Sequence, residues 1–450
     1  VVVHTARPLR RILGLGFGVA IVFGTMVGVG ILRLPGTVAA ALGDRTLVLV
    51  FWALGGVYTL MGAVAVAELA AMMPASGGFR VYATRAFGER IGFAVGWCDW
   101  LNNAVTLAYG SVTAAEFLGA LWPAATVNPR LTSIVILAAF TVIHWNGLRI
   151  GSTLTAVISA AIGLMLMTLV VGCFLAAPAA PAAPLPASAA TLPLWSVGML
   201  FALVTAMRSI LAAYDGWYAP IYMAEENTDP VRTLPRAIIG GTVLVGALYL
   251  VINLALLRVL PVPVLAASQL PAADAARIFL PHGGAELVTV ISLLTLLSLL
   301  NSVMLAAPRI LFAIGRDGFF SARAAVLSKG GAPRTALAIT SAVVVLLIMS
   351  GTFEQIIALF AVLFLVYYVS AFLAVFVLRY KEPSLPRPYK AFGYPFSTGI
   401  VLVCTVAFLI AAVVEDRRSA VIAGVFLVCC APAYSWMERR RGQRVEAAAG

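Results

Sequence analysis

Two stretches place backbone chemistry inside apolar surroundings. The first is Gly24-Thr25-Met26-Val27-Gly28-Val29-Gly30. The second is Ala212-Ala213-Tyr214-Asp215-Gly216-Trp217, with Pro220 close behind. Glycine and proline weaken a helix. A helix that opens inside a bilayer frees N–H and C=O groups, which is tolerated only where the chain lines a cavity or is buried in protein. The N-terminal end of a half-helix suits a carboxylate, and freed carbonyls suit an ammonium. Glycine also lets a ligand approach the backbone closely. Gly28, Val29 and Gly30 are therefore expected to donate N–H groups to a carboxylate, with Thr25, Met26 and Val27 beside them. Carbonyls near Met26 and around Ala212, Ala213 and Tyr214 are expected to accept from an amine, with Tyr214 and Trp217 as pocket walls. Together these groups fit the main-chain atoms of an amino acid. Taken singly, each break reads equally as close helix packing; their matched positions favour a site.

Charges within apolar runs form a second set, because an intramembrane charge is costly and is a functional candidate by default. Asp215 reads as an acceptor for a substrate amine or as a partner of Arg33 or Arg208. Arg33 is a vestibule charge, an Asp215 partner or a snorkelling side chain. Asp99, Asn102 and Glu116 read as structural. Glu225 and Glu226, near Arg232 and Arg236, read either as an inner gate or as a plain helix end, and Arg309 joins that network. Ser298 and Ser302, one turn apart, are a possible sodium site or serines bonded to their own helix.

The elements that must hold these residues are membrane spans. The chain has 450 residues, 62% hydrophobic and 11% charged, which leaves too few charges for a soluble surface. Apolar runs of bilayer length recur. Spans fall at roughly 12–36, 46–72, 91–122, 130–145, 152–177, 195–223, 236–260, 283–315, 335–351, 355–379, 396–414 and 419–437. The expected fold class is an all-α polytopic membrane protein with twelve transmembrane helices. A Pro/Ala-rich stretch, 177–193, reads as a surface loop. Arg7, Arg10 and Arg11 precede a first span too long for a cleavable signal.

Twenty-one of the 30 basic residues lie on one side if the N-terminus is inside. The positive-inside rule then places both termini in the cytoplasm of a plasma (inner) membrane protein. The net charge of +12 is explained by these loops, so no nucleic-acid partner is expected. No Ser/His/Asp, HExxH or phosphate-loop pattern is present, so neither an enzyme nor a cofactor is expected. The five cysteines form no CxxC pair, and His4, His144 and His282 are far apart, which argues against a metal site.

The first and sixth spans both break near their middles, five spans apart. An odd offset inverts one repeat relative to the other, the pattern of a midplane binding site. Several motifs then resemble the amino acid–polyamine–organocation transporters, closest to the L-type amino acid transporter branch. They are "GTMVGVGILRLPG" (24–36), "AELAAMMPASGGFRVYATRAFG" (67–88), "AAYDGWYAPIYMAEENTDPVRTLPRAII" (212–239) and "NSVMLAAPRILFAIGRDGFF" (301–320). The resemblance implies a LeuT-type five-plus-five inverted repeat with broken helices 1 and 6. It implies repeats at 12–177 and 195–379, with two added helices at 396–437. It also implies alternating-access transport of amino acids, expected to be neutral L-amino acids, by exchange or proton symport. An amine, polyamine or acidic amino acid is the alternative substrate, and a channel a more distant one. Three positions depart from that pattern. Val29 stands where a serine is common, Ala212 where a bulky aromatic is common, and span 5 lacks a lysine, with Gly163 near its place. The last leaves a co-transported proton or sodium open.

Overall fold

The computed structural model describes residues 9, 11–125, 128–177, 196–328, 330–350 and 353–449. All but the first residue of the Pro/Ala-rich stretch at 177–193 lies outside them. The first span is α1 (Leu15–Met26) and α2 (Gly30–Leu42). After them come α3 (Arg45–Met72), α4 (Phe79–Phe87), α5 (Glu89–Leu121), α6 (Pro129–Trp145) and α7 (Leu148–Leu175). The sixth span is α8 (Val197–Ala213) followed by a 3₁₀ segment (Ala219–Glu226). The rest comprises α9 (Pro230–Val259), α10 (Val262–Ala267), α11 (Pro271–Phe279), α12 (Gly284–Arg316), α13 (Arg334–Ser350), α14 (Phe353–Lys381), α15 (Phe396–Glu415) and α16 (Arg417–Ala449).

The helices start where the sequence supplies oxygen caps. Asp44, Asn128, Ser196 and Asp229 accept from the N–H groups of Leu47, Leu131, Met199 and Arg232, satisfying donors that the first turn leaves over. Among the described residues eight helices are long and apolar enough to cross a bilayer, and α1–α2 make one further span bent by 47°. Three shorter apolar helices lie where the sequence places its fourth, sixth and ninth spans. The chain is therefore a helical, multi-pass membrane protein.

The centre of the bundle is α12. Of its most apolar window 72% is buried, against 22% for α15 and 17% for α16, which face outward. α12 packs on α5, α7 and α11, and α1 packs on α9 and α7. Small residues let α1 and α9 approach: a Cβ at Gly241 would fall 2.6 Å from Val22 Cγ1. Among the described residues the only β-type contact is a parallel bridge between Leu13 and Asn227, just before the first span and just after the sixth.

Candidate functional site

The two chain breaks meet in the middle of the bundle. α1 stops at Met26, Val27 leaves helical geometry (φ −77°, ψ 88°), and α2 restarts at Gly30. α8 stops at Ala213, and Gly216 turns the chain with φ +106°, a left-handed conformation that favours glycine. Thr25 Oγ1 donates across the gap to Gly216 O at 2.8 Å. A Cβ on Gly216 would lie 2.8 Å from the Thr25 carbonyl, so the contact tolerates no side chain. Gly30 faces Ala213, whose Cα would be 3.3 Å from an added Cβ.

Tyr249, on α9, ties the breaks together. Its hydroxyl lies 2.6 Å from Met26 O and 3.0 Å from Ala213 O, donating to the pair of carbonyls that the sequence assigns to an amine. Tyr249 is fully buried and packs against Trp52 and Tyr214. Gly28 N–H is also engaged, donating to Met26 O at 2.9 Å. The expectation that Gly28 offers this group to a carboxylate is therefore altered: it closes a tight turn instead. The donors left at this break are those at the head of α2, Val29, Gly30 and Ile31, where a helix leaves its first N–H groups without intrahelical partners.

Asp215 sits just past the α8 end, in aromatic company. Tyr368 donates to Oδ1, and Tyr218 reaches Oδ2 at 3.4 Å. Trp217 stacks on Tyr368 at 5.6 Å. Tyr214 is buried, and its hydroxyl donates to Trp52 O. A cavity of about 400 Å³ opens beside the break, walled by Leu34, Tyr58, Arg208, Ala212, Asp215 and Phe408 among others. Arg208 and Ala212, one helical turn apart, share a face of α8, and Asp215 follows in the turn beyond it. Gly28, Val29 and Gly30 do not line this cavity. Arg33, on α2, is exposed.

Below the first break, three hydroxyls crowd Gly24. A Cβ there would lie 2.6 Å from Ser298 Oγ, 3.2 Å from Ser159 Oγ and 3.4 Å from Ser302 Oγ. Ser159 donates to Ala20 O. Ser298 and Ser302 are buried, and their hydroxyls have no hydrogen-bond partner among the described residues.

On the side of the basic loops, called inner here, ion pairs close the sixth span against α12. Glu226 accepts Nε and Nη2 of Arg309 at 2.8 and 3.0 Å, with side chains only 1% and 4% exposed. Glu225 pairs with Arg316 in the same bidentate way and accepts Ser76 N–H. Arg80 pairs with Asp317. The sequence places Arg232 near these glutamates, but it sits 4.0 Å from Asp229 instead. The segment before the first span is laced to the exit of the sixth as well. Ile12 and Leu13 N–H donate to Glu226 O at 3.0 Å, and Thr228 N–H donates to Leu13 O at 2.9 Å.

Asp99 and Asn102 are buried on α5, bonded to Tyr222 and Tyr367 respectively, whereas Glu116 is exposed. Sequence reasoning missed Tyr249, Arg80 and Arg316. A tyrosine in an apolar run carries no signal of its own, and the two arginines read as loop charges that set topology.

Two broken helices joined at mid-bundle, with ion pairs closing one end, define a polytopic membrane protein. The amino acid permease family model matches residues 18–430, and the chain belongs to that family, within the amino acid–polyamine–organocation superfamily. It is 26% identical to the serine/threonine exchanger SteT of Bacillus subtilis over 97% of this chain and 99% of that protein. It is 27% identical to the b(0,+)-type amino acid transporter 1 of Rattus norvegicus, over 91% of this chain and 85% of that one. An uncharacterised transporter of Mycobacterium tuberculosis is 28% identical over 69% of this chain and 67% of its own length.

Proposed function

We propose that this permease exchanges neutral L-amino acids across the plasma membrane by alternating access. The observation that carries the reading is the junction of the two breaks through Thr25, Gly216 and Tyr249. The substrate carboxylate sits at the head of α2, on Val29 and Gly30 N–H, where the helix dipole favours an anion. Its ammonium turns toward the carbonyls of Met26 and Ala213, beside the Tyr249 hydroxyl. Thr25, Val27, Gly28, Ala212, Tyr214, Asp215 and Trp217 complete the wall. Twelve spans, inverted repeats at 12–177 and 195–379, two added helices at 396–437 and cytoplasmic termini belong to the same reading. The name of the SteT exchanger supports exchange over proton symport. Ser298 and Ser302 offer their unpaired hydroxyls to sodium beside Gly24.

Proteoliposomes test this. Uptake of labelled neutral amino acids should saturate and should rise when unlabelled substrate is loaded inside. Uptake that follows a pH gradient and ignores internal substrate makes the protein a proton symporter instead. Replacing external sodium with choline should slow uptake, and Ser298→Ala with Ser302→Ala should remove that dependence. A sodium-independent wild type ends the ion-site reading.

One observation favours a second substrate class. Asp215 lines the 400 Å³ cavity among Trp217 and tyrosine rings, surroundings that attract an organic ammonium. Arg208 in the same cavity wall suits an acidic side chain. Competition by a polyamine or a cationic amino acid, lost in Asp215→Asn, would select a cationic substrate; competition by acidic amino acids, lost in Arg208→Gln, an acidic one.

A further inference from the structure

The turn that ends α12, Arg316–Phe319, is engaged at every residue. Arg316 holds Glu225, and Asp317 holds Arg80. Gly318 has φ +84°, and a Cβ there would lie 3.3 Å from Arg441 Cδ on α16. Phe319 is buried and stacks on Tyr434 of α16 at 5.1 Å with 28° between the ring planes. The Arg441 guanidinium lies 5.1 Å from the Phe319 ring centre. Phe93, near the start of α5, packs edge-on against both Phe319 and Tyr434.

The same two α16 residues reach the head of α5. Arg441 Nη1 is 3.3 Å from Glu89 Oε2, and the Tyr434 hydroxyl donates to Glu438 at 3.0 Å and approaches Glu89 at 3.4 Å. Tyr434 and Arg441 are seven residues apart, two helical turns, so they share one face of α16. That face grips the turn to which two ion pairs of the sixth span and the α4 segment are anchored.

We infer that the inner end of α16 is a clamp on this turn, and that Tyr434 and Arg441 are positioning residues for the inner gate. The inference rests on reading the Glu225 and Glu226 ion pairs as that gate. Stacking and the cation over the ring hold Phe319 in place, which keeps Arg316 and Asp317 aimed at their partners. Elsewhere α16 is mostly outward-facing. The Arg441–Glu89 pair is about half exposed, at 42% and 50%, so salt in the cytoplasm screens it. The clamp therefore makes gate closure sensitive to ionic strength.

A reporter cysteine at Ala224, which is buried on the sixth span, tests the clamp in a chain whose five native cysteines are alanine. Inside-out vesicles are labelled with a membrane-impermeant maleimide. Glu226→Gln should speed labelling; if it does not, the gate reading itself fails. Tyr434→Ala and Arg441→Ala should each speed labelling by about three- to tenfold, the range that one ring or cation contact supports. Arg440→Ala, whose side chain folds over Trp436, should label like the parent. Arg441→Lys, which keeps a cation for both Glu89 and the Phe319 ring, should label close to the parental rate, which a misfolded chain would not do. High salt should speed labelling less in Arg441→Ala than in the parent, because the partly exposed Arg316–Glu225 pair is screened in both. Faster labelling in Glu226→Gln with parental rates in Tyr434→Ala and Arg441→Ala overturns the clamp alone. So does an Arg441→Lys variant that labels as fast as Arg441→Ala.

Discussion

Tyr249 holds two carbonyls that no helix uses. Tyr249→Phe keeps the ring packing against Trp52 and Tyr214 but takes the hydroxyl from Ala213 O, while Met26 O keeps the Gly28 N–H. Unsatisfied buried acceptors cost about 1–3 kcal/mol. The variant should therefore remain folded, lose several degrees of thermal stability in detergent, and show a raised KM for uptake. Unchanged stability and KM would separate the hydroxyl from the site. Gly216 is less forgiving. Gly216→Ala combines a strained φ with a clash on the Thr25 carbonyl, so no folded, transport-competent protein should be recovered. A fully active Gly216→Ala variant would contradict the contact. Gly28, Gly30 and Gly216 were legible in the sequence because glycine at a matched position in two apolar spans is a pattern. Tyr249 was not, because its importance depends on reaching a carbonyl 223 residues away in the chain.

The elements that the proposed cycle moves are tied together by ion pairs. The α12 end and the sixth-span exit are joined by the Arg309–Glu226 pair, almost wholly buried. Removing one member of such a pair costs about 3–5 kcal/mol because the other charge is stranded. Arg309→Met alone should favour the inward-open state and slow the transport cycle. Arg309→Met with Glu226→Leu should recover much of the stability, since a packed apolar pair replaces the ions. Equal melting temperatures for the single and double variants would show that the pair is not coupled. The Leu13–Glu226 lacing makes a second claim about these elements. Leu13→Pro removes one donor to Glu226 O, and faster maleimide labelling of a cysteine at Ala224 should follow; labelling at the parental rate would show that the lacing bears no load. Glutamates and an arginine near span ends made the Glu226–Arg309 pairing legible. Arg80 and Arg316 were hidden because every loop on that side carries basic residues, and only folding picks out those that meet an acid.

The whole molecule follows from its composition. With 11% charged residues the chain has too few charges for a soluble domain's surface, and apolar runs of bilayer length give helices rather than strands. The sequence placed the breaks and the last two helices, which the structure turns outward. It placed the cavity less well, because the cavity lies beside the second break and reaches α15, a helix outside the expected repeats. The central claim is that the substrate is held by the backbone where two broken helices meet. Saturable, trans-stimulated uptake of neutral amino acids into proteoliposomes, compared between the parent and Gly30→Val, tests it most directly. A Cβ on Gly30 would already sit 3.3 Å from Ala213 Cα, so a branched side chain crowds the gap. The account predicts saturable, trans-stimulated uptake in the parent, and its loss in a variant that still elutes as a single folded species. Uptake by Gly30→Val with an unchanged KM, or a parent that neither saturates nor responds to internal substrate, would contradict it.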